Sequence, residues 1–438
     1  MKRLSWFLPL FLLAAPGWAL DLMQVYRQAQ EYDAAFATAR ANLEAGRERG
    51  PQGRAGLLPS LSLSGNTLWN DQRLESGGVR TDRRYNSHGY TLTLTQPVFR
   101  WQNWVANEQG QLGVALAEAQ FVQARQDLIL RVAQAYFDVL NAQVNLQAAR
   151  AQKAAIAQQL EQAKKNFEVG TATIVDTYEA QSRHDLAQAQ EIASENDLEV
   201  RREALRVIIG EVPEHLAPLD VKKPILPPRP DRMEPWVEAA QKDNTAVQIQ
   251  QKQVEIAARE VQKLRAGHYP TLDVVANMGH SRNVQGAGGV VDSEANNIGL
   301  QLTLPLYQGG AVSSRVREAA ALYNAAQSSL EGSRRQAALN ARQSYLGVVN
   351  GLAQIKALEA ALASSLASLE SNKLGYEVGV RINIDVLNAE QQVFQTRRDL
   401  ARAYHDTLLA RLRLKGAVGS LDEADLQEIN ALLKEGSS

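Results

Sequence analysis

The sequence predicts an α+β chain built from two tandem copies of one unit, each a pair of strands joined to a very long helical hairpin. Three observations carry this. The stretches Phe167–Asp176 and Tyr376–Asn388 share a Glu-Val-Gly core; Gly170 and Gly379 lie 209 positions apart, as do Asp176 and Asp385. No proline occurs between Val98 and Val212, or after Pro305. Short alternating segments recur in the same order, bracketed by Pro59 and Pro97 in one half and by Pro270 and Pro305 in the other. Markers repeated in order are the signature of an internal repeat.

The first element is a leader. Lys2 and Arg3 precede an apolar run from Leu4 to Ala15, then Pro16-Gly17-Trp18-Ala19 with small residues at −3 and −1 of a cut after Ala19. Residues 1–19 therefore read as a secretory signal peptide. The run is shorter than the roughly 20 apolar residues of a membrane span, and no other stretch approaches one. The chain has no cysteine, which excludes disulfides, thiol catalysis, thiolate metal sites and a lipid on an N-terminal Cys. A net charge of −1 over 438 residues gives no argument for nucleic acid.

The first repeat spans 20–212. Asp21 to Leu57 reads as one helix, because Leu22, Val25, Tyr26, Ala29, Tyr32 and Phe36 keep helical spacing. Leu61 to Trp69 and Tyr90 to Thr95 alternate with period two and read as strands; Asn70 to Arg84, polar and charged, reads as a surface loop between them. A helix from Arg100 to Phe167 would be about 100 Å long, too long for a globular core. Gly170 turns the chain as a left-handed C-cap, and Thr173 to Ile209 returns.

Residues 213–235 are a linker, with seven prolines. The second repeat, 236–420, follows the same order: helix from Trp236 to Gly267, strand residues Leu272 to Met278, a Gly-rich loop from Asn283 to Asn296, strand residues Ile298 to Leu304, then the second hairpin. Tyr345 matches Tyr136, and Val386, Val393, Leu400, Thr407 and Leu414 form a seven-residue stripe. Residues 421–438 form a short acidic, amphipathic tail.

Four strands cannot close a membrane barrel, since the smallest have eight and open edges cannot face lipid. Strands in a membrane would therefore share one barrel among several chains, with Trp69, Tyr90, Trp101, Trp104, Tyr269 and Tyr307 as interface anchors. The competing reading is a soluble sandwich with those aromatics in its core. The six His residues lack metal-ligand spacing and are expected on solvated faces; no metal, cofactor or catalytic constellation is expected.

The start Leu22-Met23-Gln24-Val25-Tyr26, Leu58-Pro59-Ser60-Leu61, Gln96-Pro97-Val98-Phe99 and both tips resemble the TolC family of outer-membrane channel-tunnels. The resemblance covers nearly all of the mature chain. It implies a homotrimer with a shared twelve-stranded barrel in the outer membrane of a Gram-negative bacterium, a helical tunnel in the periplasm, and an equatorial region from the linker and tail. It implies a passive exit duct for type I secretion or tripartite drug efflux, partnered by an inner-membrane ABC or proton-driven pump and a periplasmic adaptor (membrane fusion) protein. By the same resemblance, Arg381 and Tyr376 reach Asp176 to hold the periplasmic end shut, and copies of Asp385 ring the narrowest opening. On the residues alone, Asp176 is equally a capping-box partner of Thr173 and Asp385 a helix-start carboxylate. Asn388 stands where the family has a second acidic ring, and Val175 where it offers a hydroxyl, so weaker cation binding and easier opening are expected. Val169, Gly170, Val378 and Gly379 are candidates for adaptor docking as well as turn geometry. The alternative to a duct is a soluble periplasmic coiled-coil scaffold or adaptor.

Overall fold

The computed structural model describes residues 19–434 except 172, 214, 222 and 286–288; the expected signal peptide lies outside the described residues, apart from Ala19. The chain forms two compact units. One contains Arg40–Phe121 and Ala246–Ser333, the other the remainder.

The first unit carries a single antiparallel sheet, β1 (Ser60–Ser76), β2 (Val79–Phe99), β3 (Thr271–Gln285) and β4 (Gly289–Thr303), in that order. Register and period two sort its side chains onto two faces. Leu61, Leu94, Ala276 and Ile298 share one row, and Leu63, Leu92 and Met278 lie in the next row on that face. Ser62, Thr93, Asn277 and Asn297 belong to the other face, where Thr93 Oγ1 donates to Asn277 Oδ1 at 2.8 Å and Asn277 Nδ2 to Asn297 Oδ1 at 3.0 Å.

The strands run further than the sequence predicts. Asn70–Arg84, expected as a loop, belongs to β1 and β2 around a tight turn at Gly77 and Gly78, both with positive φ. Charged residues made the segment look solvated, but they alternate and face opposite charges across the ladder. Asp71 pairs Arg84 at 3.0 Å and Arg73 pairs Asp82 at 2.9 Å, each contributing up to about 1 kcal/mol. The expected Asn283–Asn296 loop is likewise mostly strand, with Ser281 Oγ and Ser293 Oγ 2.8 Å apart.

The second unit is helical: α1 (Leu22–Tyr32), the C-terminal parts of α4 (Trp101–Glu168) and α8 (Ala311–Glu377), α5 (Ile174–Ile209), α6 (Met233–Asp243), α9 (Asn383–Ala417) and α10 (Glu423–Asn430). The single helix expected over 21–57 is instead three: α1, α2 (Ala34–Arg47) and α3 (Arg49–Ala55). Asp33 leaves the helix with ψ 117°, accepts the Phe36 N–H at 2.6 Å and takes a bidentate pair from Arg131 at 2.9 and 3.1 Å. Its repeat copy Asn244 breaks the second helix in the same way, separating α6 from α7 (Thr245–Arg265), with Nδ2 donating to Ala417 O at 2.9 Å. Short polar side chains that bond nearby backbone favour such breaks over helix interiors.

Around these helices the core is apolar and close-packed. Leu128, Ile129, Val132, Tyr136 and Phe137 of α4 are fully buried, as are Leu408, Leu412 and Leu414 of α9. Of the seven-residue stripe, Val386, Val393, Thr407 and Leu414 are buried and Leu400 half-buried. The Tyr136 hydroxyl donates to Ala217 O at 2.7 Å, tying the linker to α4; burial, then the Asp21 charge, pushes its phenol upward. The linker also bridges the tail at Leu219 and Leu433.

Two expectations need correction. His405 is buried, not solvated: its ring stacks on Phe137 with centroids 5.1 Å apart, and Nδ1 lies 2.6 Å from Asn141 Oδ1. And α8 contains a window with mean hydropathy of at least 1.2, long and apolar enough to cross a membrane. That window is part of a 67-residue helix, roughly three times the ~30 Å hydrocarbon thickness in length.

Candidate functional site

Both hairpin tips are Schellman motifs, and the repeat reproduces them bond for bond. At the first, Thr171 N donates to Asn166 O at 2.8 Å and Gly170 N to Phe167 O at 3.0 Å. At the second, Val380 N donates to Gly375 O at 2.8 Å and Gly379 N to Tyr376 O at 3.1 Å. Gly170 and Gly379 both have φ +77°, a conformation that is nearly free for glycine and costs other residues about 1–2 kcal/mol. Nothing lies within 4 Å of a Cβ built at either, and the preceding Val169 and Val378 are exposed. The turns thus present apolar knobs to solvent.

After the turn the tips diverge. Thr173 caps α5 in a reciprocal box: its Oγ1 accepts the Asp176 N–H at 3.3 Å, and Asp176 Oδ2 accepts the Thr173 N–H at 2.9 Å. The second tip has Ile382 at the matching position, with no side-chain cap. Asp385, the copy of Asp176, is left without that partner and faces Arg381 at 3.7 Å, one turn away. Its position in the first turn of α9 places a carboxylate at the positive end of the helix dipole.

Asp176, Tyr376 and Arg381 line one cleft with Asn166, Thr171 and Glu377, but the expected contacts of Tyr376 and Arg381 with Asp176 are not made within the chain. Tyr376 OH instead accepts from Asn166 Nδ2 at 3.2 Å, while Asp176 is engaged by Thr173. Asn388 is occupied as well, its Oδ1 accepting from Arg183 Nη2 at 3.1 Å. Asn166 and Arg183 were missed in the sequence. Asn166 matches Gly375, so the repeat gives no hint of it, and Arg183 meets Asn388 only through the packing of α5 on α9. A third unforeseen group is Glu390, buried two turns along α9, which accepts from Lys373 at 2.9 Å and from Gln159 at 3.0 Å and so joins three helices.

In the sheet unit Trp69, Tyr90, Trp101, Trp104, Tyr269 and Tyr307 are all exposed. Tyr90 is not at a strand end: it pairs with Gly65 and stacks on His280, centroids 6.0 Å apart. At the sheet base Arg100 grips the buried Asp273 through two bonds of 2.7 and 2.6 Å, clamping β2 to β3. Among the described residues no cluster of His, Cys, Asp and Glu could hold a metal.

A sheet with one apolar face and two unpaired edges, on a chain whose helices end in matched exposed tips, defines a channel-forming membrane protein. The chain belongs to the outer membrane efflux protein family, which matches residues 25–211 and 236–420. It is 34% identical over 444 residues to outer membrane protein TolC of Vibrio cholerae, covering 99% of each chain. It is 32% identical over 449 residues to the alkaline protease secretion protein AprF of Pseudomonas aeruginosa, covering 100% of this chain and 93% of that one. The fold matches the CmeC outer membrane channel of Campylobacter jejuni with a TM-score of 0.80 at 16% identity, over 94% of this chain and 90% of that one. The protein is therefore an outer-membrane exit channel, a conduit and not an enzyme, and the soluble-sandwich and scaffold readings are set aside.

Proposed function

We propose that three copies close one twelve-stranded barrel in the outer membrane, and that their helices line a periplasmic duct gated at the two tips. The observation that carries this is the sheet: four strands, apolar on one face over the half nearest the helices' end of the strands and charged beyond it, Ser/Thr/Asn-rich on the other, with β1 and β4 unpaired at the edges. Lipid takes the apolar face, with Trp69, Tyr90, Trp101, Trp104, Tyr269 and Tyr307 toward the interfaces, and the polar face lines the lumen. Substrates enter from an inner-membrane pump, ATP-driven or proton-driven, through a periplasmic adaptor that docks on Val169, Gly170, Val378 and Gly379. A relative named for protease secretion supports protein export, and the family's own description supports efflux.

In this reading Asp385 is the gate carboxylate. Ile382 leaves it uncapped, so repetition by symmetry produces a ring of carboxylates that binds cations at the constriction. Tyr376, Arg381 and Asp176, which share a cleft in one chain, hold the tips shut through links between neighbouring hairpins. Asn388 adds no charge, and Arg183 beside it weakens whatever charge is placed there.

Planar-bilayer conductance tests this. Wild type is expected as a heat-modifiable oligomer that conducts poorly and prefers cations, with that preference lost in Asp385→Ala. An unchanged selectivity in the variant sinks the ring, and no membrane insertion at all sinks the duct. Asn388→Asp is expected to strengthen divalent block, and more so when combined with Arg183→Gln.

A further inference from the structure

The charges of the sheet are sorted by face. β1 and β2 pair without a register shift, from Ser60 opposite Thr95 to Ser76 opposite Val79. The apolar rows and the charged rows beyond them therefore share one face. Asp71, Arg73 and Glu75 lie there opposite Arg84, Asp82 and Arg80. Arg282, Asp292 and Glu294 extend the pattern onto β3 and β4. These charges largely cancel, four arginines against five carboxylates. Besides the two pairs already described, Arg80 reaches Asp82 at 3.7 Å and Arg282 reaches Asp292 at 3.9 Å.

The other face is nearly free of charge. Among the described residues its strands carry two charged side chains, Asp273 and Arg83. Asp273, at the sheet base, is neutralised by the Arg100 clamp. Arg83 stands at the far end of the same face, half-buried between exposed Asp82 and Arg84, which point the other way. Arg73 and Arg84 have carboxylates opposite them across the ladder; Arg83 has the amide of Gln72, which also accepts from Tyr85 OH at 3.2 Å. From Arg83 to Pro97, the residue opposite Asp273, the polar face of β2 runs for about 48 Å through Tyr85, Ser87, Gly89 and three threonines.

We propose that Arg83 is the selectivity residue of the outer mouth: three copies form a ring of fixed positive charge that draws multivalent anions to the rim and turns cations back. This rests on the shared-barrel reading above, in which the polar face lines the lumen. Twelve strands about 4.8 Å apart, tilted by about 40°, close at a backbone radius of about 12 Å. An inward arginine leaves less than the Debye length, about 8 Å at physiological salt, between its guanidinium and the axis. The field of the ring therefore spans the opening, as a ring of charged side chains does in a selective pore. The compensated charges of the outward face do not add to it. Below the rim the wall offers a solute hydrogen bonds but no net charge, so the sign of the mouth is set by Arg83. In the proposed duct Asp385 sets the opposite sign at the tips, and the two ends select different ions.

Block of single-channel current by tripolyphosphate reads the ring. In planar bilayers with the full-length protein inserted in one orientation, tripolyphosphate added on the barrel side is expected to block wild type. Arg83→Gln is expected to raise the blocking concentration by at least about tenfold, the effect of three unit charges acting on one multivalent anion through about 8 Å of water. Arg83→Lys is expected to keep the block, and Arg83→Asp to exchange it for block by a trivalent cation, hexaamminecobalt(III). Arg84→Gln removes a neighbouring arginine from the outward face and is expected to change nothing. Should Arg83→Gln fail to assemble, Gln72→Glu sets a carboxylate opposite the intact arginine and is expected to weaken the block in the same way. Channels that conduct normally but show no loss of block in Arg83→Gln or Gln72→Glu, or an equal loss in Arg84→Gln, overturn the ring and leave the shared barrel standing. A wild type that never conducts overturns both.

Discussion

The first hairpin buries its outgoing leg, and the second buries its returning one. Phe137 of α4 is fully buried, while its copy Leu346 in α8 is 48% exposed. His405 of α9 is buried, while its copy Asn196 in α5 is exposed. α4 and α9 face each other across Asn141 and His405, Gln159 and Glu390, Gln134 and Arg413, and α5 and α8 pack beside them with more of their surface exposed. Two copies of one pattern therefore carry different energetic weight. The periodicity of a helix states which face is apolar; the neighbour that meets it decides what that face contributes.

The largest test of this contrast is truncation of the matched pair. Phe137→Ala is expected to destabilise the helical unit by about 3–5 kcal/mol, and Leu346→Ala by less than about 1 kcal/mol, measured by urea unfolding of dilute chain followed by helical ellipticity. Equal losses would mean that α8 is already covered within one chain.

Next in size is a pH effect confined to the buried leg. Burial pushes the His405 imidazole down from 6.5 to about 4. The unfolded chain takes up that proton below about 6.5 and the folded chain only below about 4. Stability is therefore complete at neutral pH and falls as pH drops through that window, by on the order of 3 kcal/mol. His405→Gln should flatten the pH dependence of the unfolding midpoint between 7 and 4; an unchanged slope would place the titration elsewhere.

Smaller and symmetric is the response of the turns. Gly170→Ala and Gly379→Ala meet no side chain but force the left-handed region, so each is expected to cost about 1–2 kcal/mol. Hydrogen exchange at the tips should show the same increase in both repeats. Smallest is the cap: Thr173→Ala is expected to cost about 1 kcal/mol, with Ile382→Ala near zero because no cap exists there to lose. Ile382→Thr should slow exchange at the start of α9 and draw Asp385 away from Arg381.

The tips were readable in the sequence because a turn that needs positive φ allows little but glycine, and Glu-Val-Gly followed six residues later by Asp occurs twice. The outer halves of the strands were not. Asp71, Arg73 and Glu75 look like a solvated run until Arg84, Asp82 and Arg80 are placed opposite them, and that pairing is set by register across the turn. The break at Asp33 was hidden by apolar spacing that runs through Tyr32 and Phe36 without interruption; only Arg131, nearly a hundred positions away, reveals why an acid sits there. At the candidate gate the sequence proposes residues but not the contacts the structure gives them. Arg183 with Asn388, and Asn166 with Tyr376, depend on which helices pack together.

The proline-rich linker between the repeats has a kinetic consequence. Two sites joined by a short tether meet at an effective concentration in the millimolar range. In the proposed three-copy ring, half of all contacts between repeat units would thus be formed as each molecule folds, before it encounters a second. Had the repeats been separate polypeptides, twice as many bodies would have to find one another in the periplasm, and the yield of closed rings would depend on protein abundance with twice the exponent. In that proposed assembly the linker would make ring closure tolerant of low expression.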